Sequence, residues 1–236
     1  VHRIDLWICA DADATPQRLA ASRDWLAPDE HARWRRFLRE DDRRRFLLAR
    51  GLVRGVLARC TGVAPAALEF EAQVHGKPAL AGALRASGWE FNLSHTRGMV
   101  ALAVSRGVEV GVDVEAIDRR LDPLRLAARN FSPHERAALE ATADAARPAR
   151  FFDLWTLKEA YVKALGCGLQ HDLRAFSVSF DAGAPAILEH ADGVERASAC
   201  SCWLDEPAPG FRLALVARDV PAIDVHVVRG FPPVPA

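Results

Sequence analysis

Residues 108–115 alternate without exception: valine at 108, 110, 112 and 114, with Glu109, Gly111, Asp113 and Glu115 between them. A period of two sends alternate side chains to opposite faces, so the segment must be a β-strand with one apolar, buried face. Residues 99–105 form a second apolar segment, and Ser105, Arg106 and Gly107 read as the turn of a hairpin joining the two. The apolar faces need covers, and the chain supplies amphipathic helices. Between residues 43 and 60, Phe46, Ala49, Val53, Val56, Leu57 and Cys60 recur at helical spacing. Arg43, Arg50 and Arg54 flank that stripe, Arg45 projects near its other edge beside Leu52, and Gly62 ends the helix. A second helix starts at Ser132 and Pro133, where Ser132 and Glu135 make a capping box. A third is expected over 149–165, stopped by Gly166, and strands are expected at 3–10, 211–216 and 224–228. The segments beginning at Gly98 and Gly210 share a spacing of two apolar strands around a polar turn. A duplicated architecture explains this echo, and so does the general likeness of any two hairpins.

The 236 residues carry 31 basic and 31 acidic side chains and are 50% apolar. That balance excludes a strongly cationic nucleic-acid binder and an acidic disordered tail, and fits a soluble protein of one large domain or two small ones. Apolar runs such as 99–104 fall far short of the ~18 residues of a membrane span, and no basic stretch leads into an apolar one at the N-terminus. A cytoplasmic location is expected. Cys9, Cys60, Cys167, Cys200 and Cys202 form no CxxC pair, so they are read as reduced thiols. The cations comprise 28 Arg and only three Lys, at 77, 158 and 163. In so Arg-biased a chain, a lysine marks a place that suits a compact ammonium. Residues 31–60 hold ten Arg against three acids, a local field able to steer an anion.

Asp113 and Glu115 leave the same strand face with Cα atoms about 7 Å apart. Their repulsion is relieved by water at an exposed face or by a divalent cation, and Mg²⁺ commonly takes one or two carboxylates plus substrate phosphates. Gly111, on that face, is expected to leave room for a ligand. In the 149–165 helix Phe151, Leu154, Trp155, Tyr161, Val162 and Leu165 form the apolar stripe, and Lys158 projects into its middle, where it either snorkels from under the stripe or, the favoured reading, meets an anionic partner. Glu159 and Lys163 sit at i,i+4 on the adjoining flank, the spacing of a surface ion pair. Ser94, His95 and Thr96 lie at a strand end and are suited to line a phosphate. Neither a nucleophile elbow nor a GxGxxG, P-loop or HExxH motif occurs.

GKP at 76–78, NLSHT at 92–96, GVDVE at 111–115, FSPHE at 131–135 and WTLKEAYVKALGCGL at 155–169 together resemble the 4′-phosphopantetheinyl transferase family, Sfp type, over residues 33–169. The resemblance implies an α+β fold, a pseudo-twofold duplication of two similar α+β halves at 1–107 and 108–236 with the active site at their junction. It implies Mg²⁺-dependent transfer of the 4′-phosphopantetheine arm of coenzyme A to a serine of an apo acyl or peptidyl carrier protein, releasing adenosine 3′,5′-bisphosphate. By position, Asp113, Glu115 and Glu159 resemble the metal ligands and Lys163 the lysine beside the pyrophosphate. Lys77, Ser94 and His95 resemble coenzyme A contacts, Arg33 and Arg45 the basic group at its 3′-phosphate and adenine end, and Lys158 joins this set through its expected anionic partner. Glu159 is the expected base for the serine, with Lys163 and Asp113 completing the catalytic set. Glu30 departs from the pattern, standing where one subgroup has a basic residue. The carrier is expected to be acidic, with Arg50 and Arg54 as docking candidates, and the chain to be a monomer. The same carboxylates would also serve a Mg²⁺-dependent phosphohydrolase, and a coenzyme A-binding module without turnover is the reading from another class.

Overall fold

The computed structural model describes residues 1–168, 171–180, 184–191 and 194–233; Leu169, the last residue of the 155–169 motif, lies outside them. The chain begins with β1 (His2–Ala10), passes through α1 (Pro16–Asp24), α2 (Pro28–Arg36) and the long α3 (Glu40–Thr61), and makes a small ribbon of β2 (Phe70–Ala72) and β3 (Pro78–Leu80). It returns as β4 (Trp89–Thr96) and β5 (Met99–Arg106), and β5 pairs antiparallel with both β4 and β1. The plan then repeats. β6 (Val110–Ala116) is followed by α4 (Pro123–Asn130), α5 (Pro133–Glu140) and the long α6 (Arg147–Leu165). A three-stranded ribbon follows, of β7 (Phe176–Ser179), β8 (Ala186–Ala191) and β9 (Val194–Ala197), and then β10 (Cys200–Asp205) and β11 (Phe211–Arg218). The orders β1-β5-β4 and β6-β11-β10 have the same connectivity: a strand, a long helix, then a hairpin whose second strand pairs with the first strand. The last strand, β12 (Ile223–Arg229), crosses back to lie parallel to β1.

Each long helix covers the outer face of its own sheet. Val53 and Leu57 of α3 pack with Val100, Leu102 and Val104 of β5, and Leu157 and Ala160 of α6 pack with Ala214 and Val216 of β11. Both helices end at a glycine in the left-handed region, Gly62 at φ 73° and Gly166 at φ 69°, where the absence of a Cβ removes the steric cost. A third core lies between the sheets, with Ile4, Leu6, Ile8, Met99, Ala101 and Ala103 against Val110, Val112, Val114, Leu213 and Leu215.

This layering overturns the expected hairpin of residues 99–115. β5 is apolar on both faces and paired on both edges, so no edge remains for β6. The two strands stack face to face in different sheets, and Ser105, Arg106 and Gly107 carry the chain from one layer to the other. There the Ser105 hydroxyl donates to the Val108 carbonyl and the Gly107 N–H to the Gly88 carbonyl. The echo at Gly210 is the same crossing in reverse, from β11 in the second sheet to β12 in the first.

Gly111 does not leave room for a ligand. A Cβ there would stand 2.0 Å from the Ala160 carbonyl oxygen and 2.4 Å from the Ala164 nitrogen, so its missing side chain is where the α6 backbone crosses β6. Gly111→Ala must therefore push a helix backbone aside. We expect a loss of about 1–3 kcal/mol, the usual cost of overpacking, together with lower turnover as Lys163 of α6 is displaced from β6. Urea unfolding with a parallel activity assay checks this; an alanine variant with unchanged stability would refute the close crossing.

Candidate active site

The face of β6 that bears Gly111 also bears Asp113 and Glu115, and α6 lies across it. Asp113 is buried; its Oδ1 accepts from Ser94 Oγ at 2.8 Å and from Lys163 Nζ at 2.6 Å. Its Oδ2 is buried and has no hydrogen-bond partner among the described residues. Lys163, in the last turn of α6, also donates to Ser94 Oγ and to the Val112 carbonyl at 3.2 and 3.3 Å. Burial, and next the charge of Asp113, push the Glu115 carboxyl up to about 7. Burial, then Asp113, likewise hold Glu159 above the usual carboxylate range. The three carboxylates thus share one neighbourhood, with the Lys163 ammonium lowering both glutamates against that trend.

β4 and β6 are joined by side chains. Asn92, Ser94 and Thr96 alternate along one face of β4, and their oxygens accept the N–H groups of Val112, Val114 and Ala116 at 2.9, 3.3 and 3.5 Å. Carbonyls of the same edge take lysines, Val110 from Lys77 at 3.1 Å and Val112 from Lys163.

Three cavities flank the cluster. One of about 650 Å³ is lined by Glu115, Thr96, Arg97, Leu121 and Trp155. One of about 490 Å³ is lined by Glu159, Lys163, Arg129, His171 and again Trp155. The third, about 330 Å³, is bounded by Arg33, Arg45, Arg50, His95 and Asn92, with Phe37 and Phe46. In it the His95 imidazole is held below its ordinary pKa by desolvation, then by the positive charge of Arg45, with Lys163 and Arg33 adding to it. A histidine disfavoured as a cation by its neighbours marks a region of positive potential.

The structure therefore brings Arg33, Arg45 and His95 together at one cavity and Asp113, Glu115, Glu159 and Lys163 at the junction of β6 and α6. Ser94 is buried, and its hydroxyl is used up by one donated and two accepted bonds. Lys158 is not a ligand contact. It is 0% exposed, and the anionic partner expected for it is internal: Nζ bonds Glu135 Oε1 and the Phe176 carbonyl, both at 2.7 Å. Glu135 keeps its capping box with Ser132 and adds this ion pair. Arg54 is likewise no docking residue. It is 1% exposed and satisfied by Glu30 and by the carbonyls of Pro65 and Leu68. Glu30 also holds Arg50, at 3.2 Å, so the acid that departs from the family pattern serves to neutralise two arginines of α3. Sequence reasoning passed over Asn92 as a functional position and read Thr96 only as suited to line a phosphate, although their alternation with Ser94 is visible in NLSHT. Among the described residues no group of three or more His, Cys, Asp or Glu is arranged to hold a metal by itself, and no helix is long and apolar enough to cross a membrane.

Two family profiles match the chain, 4′-phosphopantetheinyl transferase, N-terminal, over residues 12–107 and the 4′-phosphopantetheinyl transferase superfamily over residues 109–216. The 4′-phosphopantetheinyl transferase HetI of Nostoc sp. is 37% identical over 175 residues, 74% of this chain and 72% of that protein. The chain belongs to the 4′-phosphopantetheinyl transferase family. The family member Sfp of Bacillus subtilis is 30% identical over 193 residues, 82% of each chain. Among solved structures, the holo-[acyl-carrier-protein] synthase of Thermotoga maritima aligns with TM-score 0.39 and 25% identity, covering 48% of this chain and 64% of that one. Like its relatives, this phosphopantetheinyl transferase is an enzyme that transfers phosphopantetheine to carrier proteins.

Proposed function

We propose that the donor is coenzyme A, bound across the junction of two halves, 1–107 and 108–236, and that the acceptor is a serine of an apo acyl or peptidyl carrier protein. The observation that supports this most is the convergence of Asp113, Glu115, Glu159 and Lys163, with Glu115 and Glu159 lining two cavities and an Arg- and His-lined cavity nearby. Arg33, Arg45 and His95 bind the nucleotide end, whose phosphates match their charge. Lys77, anchored on the Val110 carbonyl, keeps two N–H donors for the same ligand. Lys163 stands where negative charge develops as the bisphosphate leaves, and Glu159 accepts the proton of the attacking serine.

The residues present fit a magnesium ion: a buried carboxylate oxygen without a partner among the described residues and two glutamates raised by burial and then by the charge of Asp113 are the hard oxygen donors it prefers. Asp113, Glu115 and Glu159 would hold it, sharing it with substrate oxygens. When bound it supplies Lewis-acid stabilisation of the pyrophosphate.

Incubation with coenzyme A, Mg²⁺ and an apo carrier, followed by mass spectrometry of the carrier, tests the proposal. A gain of the phosphopantetheine mass is expected; bisphosphate release without modification would mean hydrolysis instead. For the nucleotide end, Arg45→Ala should raise KM for coenzyme A by roughly 10- to 100-fold, the worth of a charged hydrogen bond of about 1.5–3 kcal/mol. It should also narrow the preference over 3′-dephospho-coenzyme A, which lacks the phosphate concerned. Unchanged discrimination would remove Arg45 from the site.

A further inference from the structure

Among the described residues β6 has a backbone strand partner on one edge only, β11, with Asp113 opposite Ala214. In an antiparallel pair alternate residues turn their N–H and C=O groups away from the partner, and in β6 these are the even-numbered ones. The N–H groups of Val112, Val114 and Ala116 all end on β4 side chains, while the carbonyls of Val110 and Val112 end on lysines. Two strands that run side by side are therefore joined without a backbone ladder.

The spacing of this seam is informative. Asn92, Ser94 and Thr96 step by two on β4 and meet residues that step by two on β6, with Asp113 and Glu115 lying between the bonded positions. Fixing the N–H groups on both sides of a residue fixes where its carboxylate starts. The middle residue does more: the Ser94 hydroxyl also donates to Asp113 and accepts from Lys163. Thr96 accepts the Ala116 N–H beside Glu115, and its hydroxyl is among the groups that lower the Glu115 carboxyl against the upward push of burial.

We infer that Asn92, Ser94 and Thr96 are positioning residues, a side-chain seam that sets the register of β6 against β4 and thereby aims Asp113 and Glu115, and that Ser94 serves from within the seam instead of touching coenzyme A. The inference rests on the catalytic assignment of Asp113 made above. It also explains a polar triad on a strand whose other face, at Phe91 and Leu93, packs into the α3 core. A β4–β6 ladder would satisfy the same N–H groups but would leave no hydroxyl between the strands to reach Asp113 and Lys163.

Thr96 offers the cleanest test, since Thr96→Val removes the hydroxyl at nearly constant shape and Thr96→Ser restores it. Thr96→Val should lower kcat by roughly 10- to 100-fold, the range for partners that orient ligands, and raise the Mg²⁺ concentration needed for half-activation. KM for coenzyme A should stay within about threefold by the same reasoning, because Thr96 does not line the Arg- and His-lined cavity assigned to the nucleotide end. Thr96→Ser should recover most of the rate, and Asn92→Asp, which keeps the acceptor for Val112, should outperform Asn92→Leu. A Thr96→Val enzyme with native kcat, a raised KM with native kcat, or a serine variant no better than valine would each overturn the inference. Should Thr96→Val fail to fold, amide hydrogen exchange in the wild type decides: the Val112, Val114 and Ala116 amides should be protected like ladder amides, and free exchange would overturn it. Asp113→Ala, assayed alongside, separates the two levels. If it is inactive while Thr96→Val is native, only the seam fails; if it is active, the catalytic assignment fails and the seam's purpose with it.

Discussion

Replacing Asp113 by alanine is expected to reduce transfer by roughly 10²–10³-fold, the usual cost of removing one preorganised electrostatic group from an active site, while the protein stays folded. Two losses combine. The unpartnered Oδ2 is the carboxylate oxygen best placed to meet a cation, and Oδ1 is the anchor that holds Lys163 at 2.6 Å. Without that anchor the ammonium keeps only the Ser94 hydroxyl and the Val112 carbonyl. Stability should change little, because the substitution also removes the charge that, after burial, does most to raise the Glu115 carboxyl. Steady-state kinetics at saturating Mg²⁺, paired with a thermal melt, provides the check. Turnover within tenfold of wild type would show that Asp113 is not part of the reacting centre, and a collapsed melt would show it to be structural.

Lys158→Ala should act on the other axis, costing about 3–5 kcal/mol of stability, the range for removing one partner of a buried ion pair. Both charges are fully buried. Burial pushes the Lys158 ammonium down to about 8 against the opposing pull of Glu135. The ammonium also lies 4.1 Å from the centre of the Phe176 ring. Glu135 Oε1 takes the Val178 N–H and Oε2 the Ser132 N–H, so the carboxylate left behind is fixed in place and cannot swing to water. Through this pair α6 is tied to the start of α5 and to β7. Urea unfolding should show the loss for Lys158→Ala, and pairing Lys158→Met with Glu135→Gln should cost less than the two single changes summed, since glutamine keeps acceptor capacity without the stranded charge. A single-variant loss under about 1 kcal/mol would contradict the burial of a charged pair.

The same lysine shows how much of the site was legible in the sequence. Its place on the apolar stripe of the 149–165 helix announces that it is buried and needs an anion, and both statements hold. Which anion is another matter. Nothing local to residue 158 distinguishes a bound phosphate from a carboxylate 23 residues upstream, because the choice depends on α5 and β7 folding back onto α6. Arg54 is the parallel case on α3: a flanking position by helical projection, brought indoors by Glu30 of α2 and two loop carbonyls.

Sequence alone determined the elements and their faces. The valine alternation, the helical stripes and the two terminating glycines fix which side chains of β6, α3 and α6 turn inward, because these are local stereochemical constraints that hold in any fold. The motifs likewise brought the family and its α+β duplication into view. Tertiary structure decided which faces meet. β5 and β6 look like a hairpin until β1 and β4 claim both edges of β5, and Gly111 looks like space until α6 fills it. The polar alternation of Asn92, Ser94 and Thr96 gains a purpose only when the free edge of β6 arrives beside it. Periodicity assigns a residue to a face, but the partner of that face is chosen by long-range packing and by the need to satisfy every buried N–H and C=O, and those constraints close only in three dimensions.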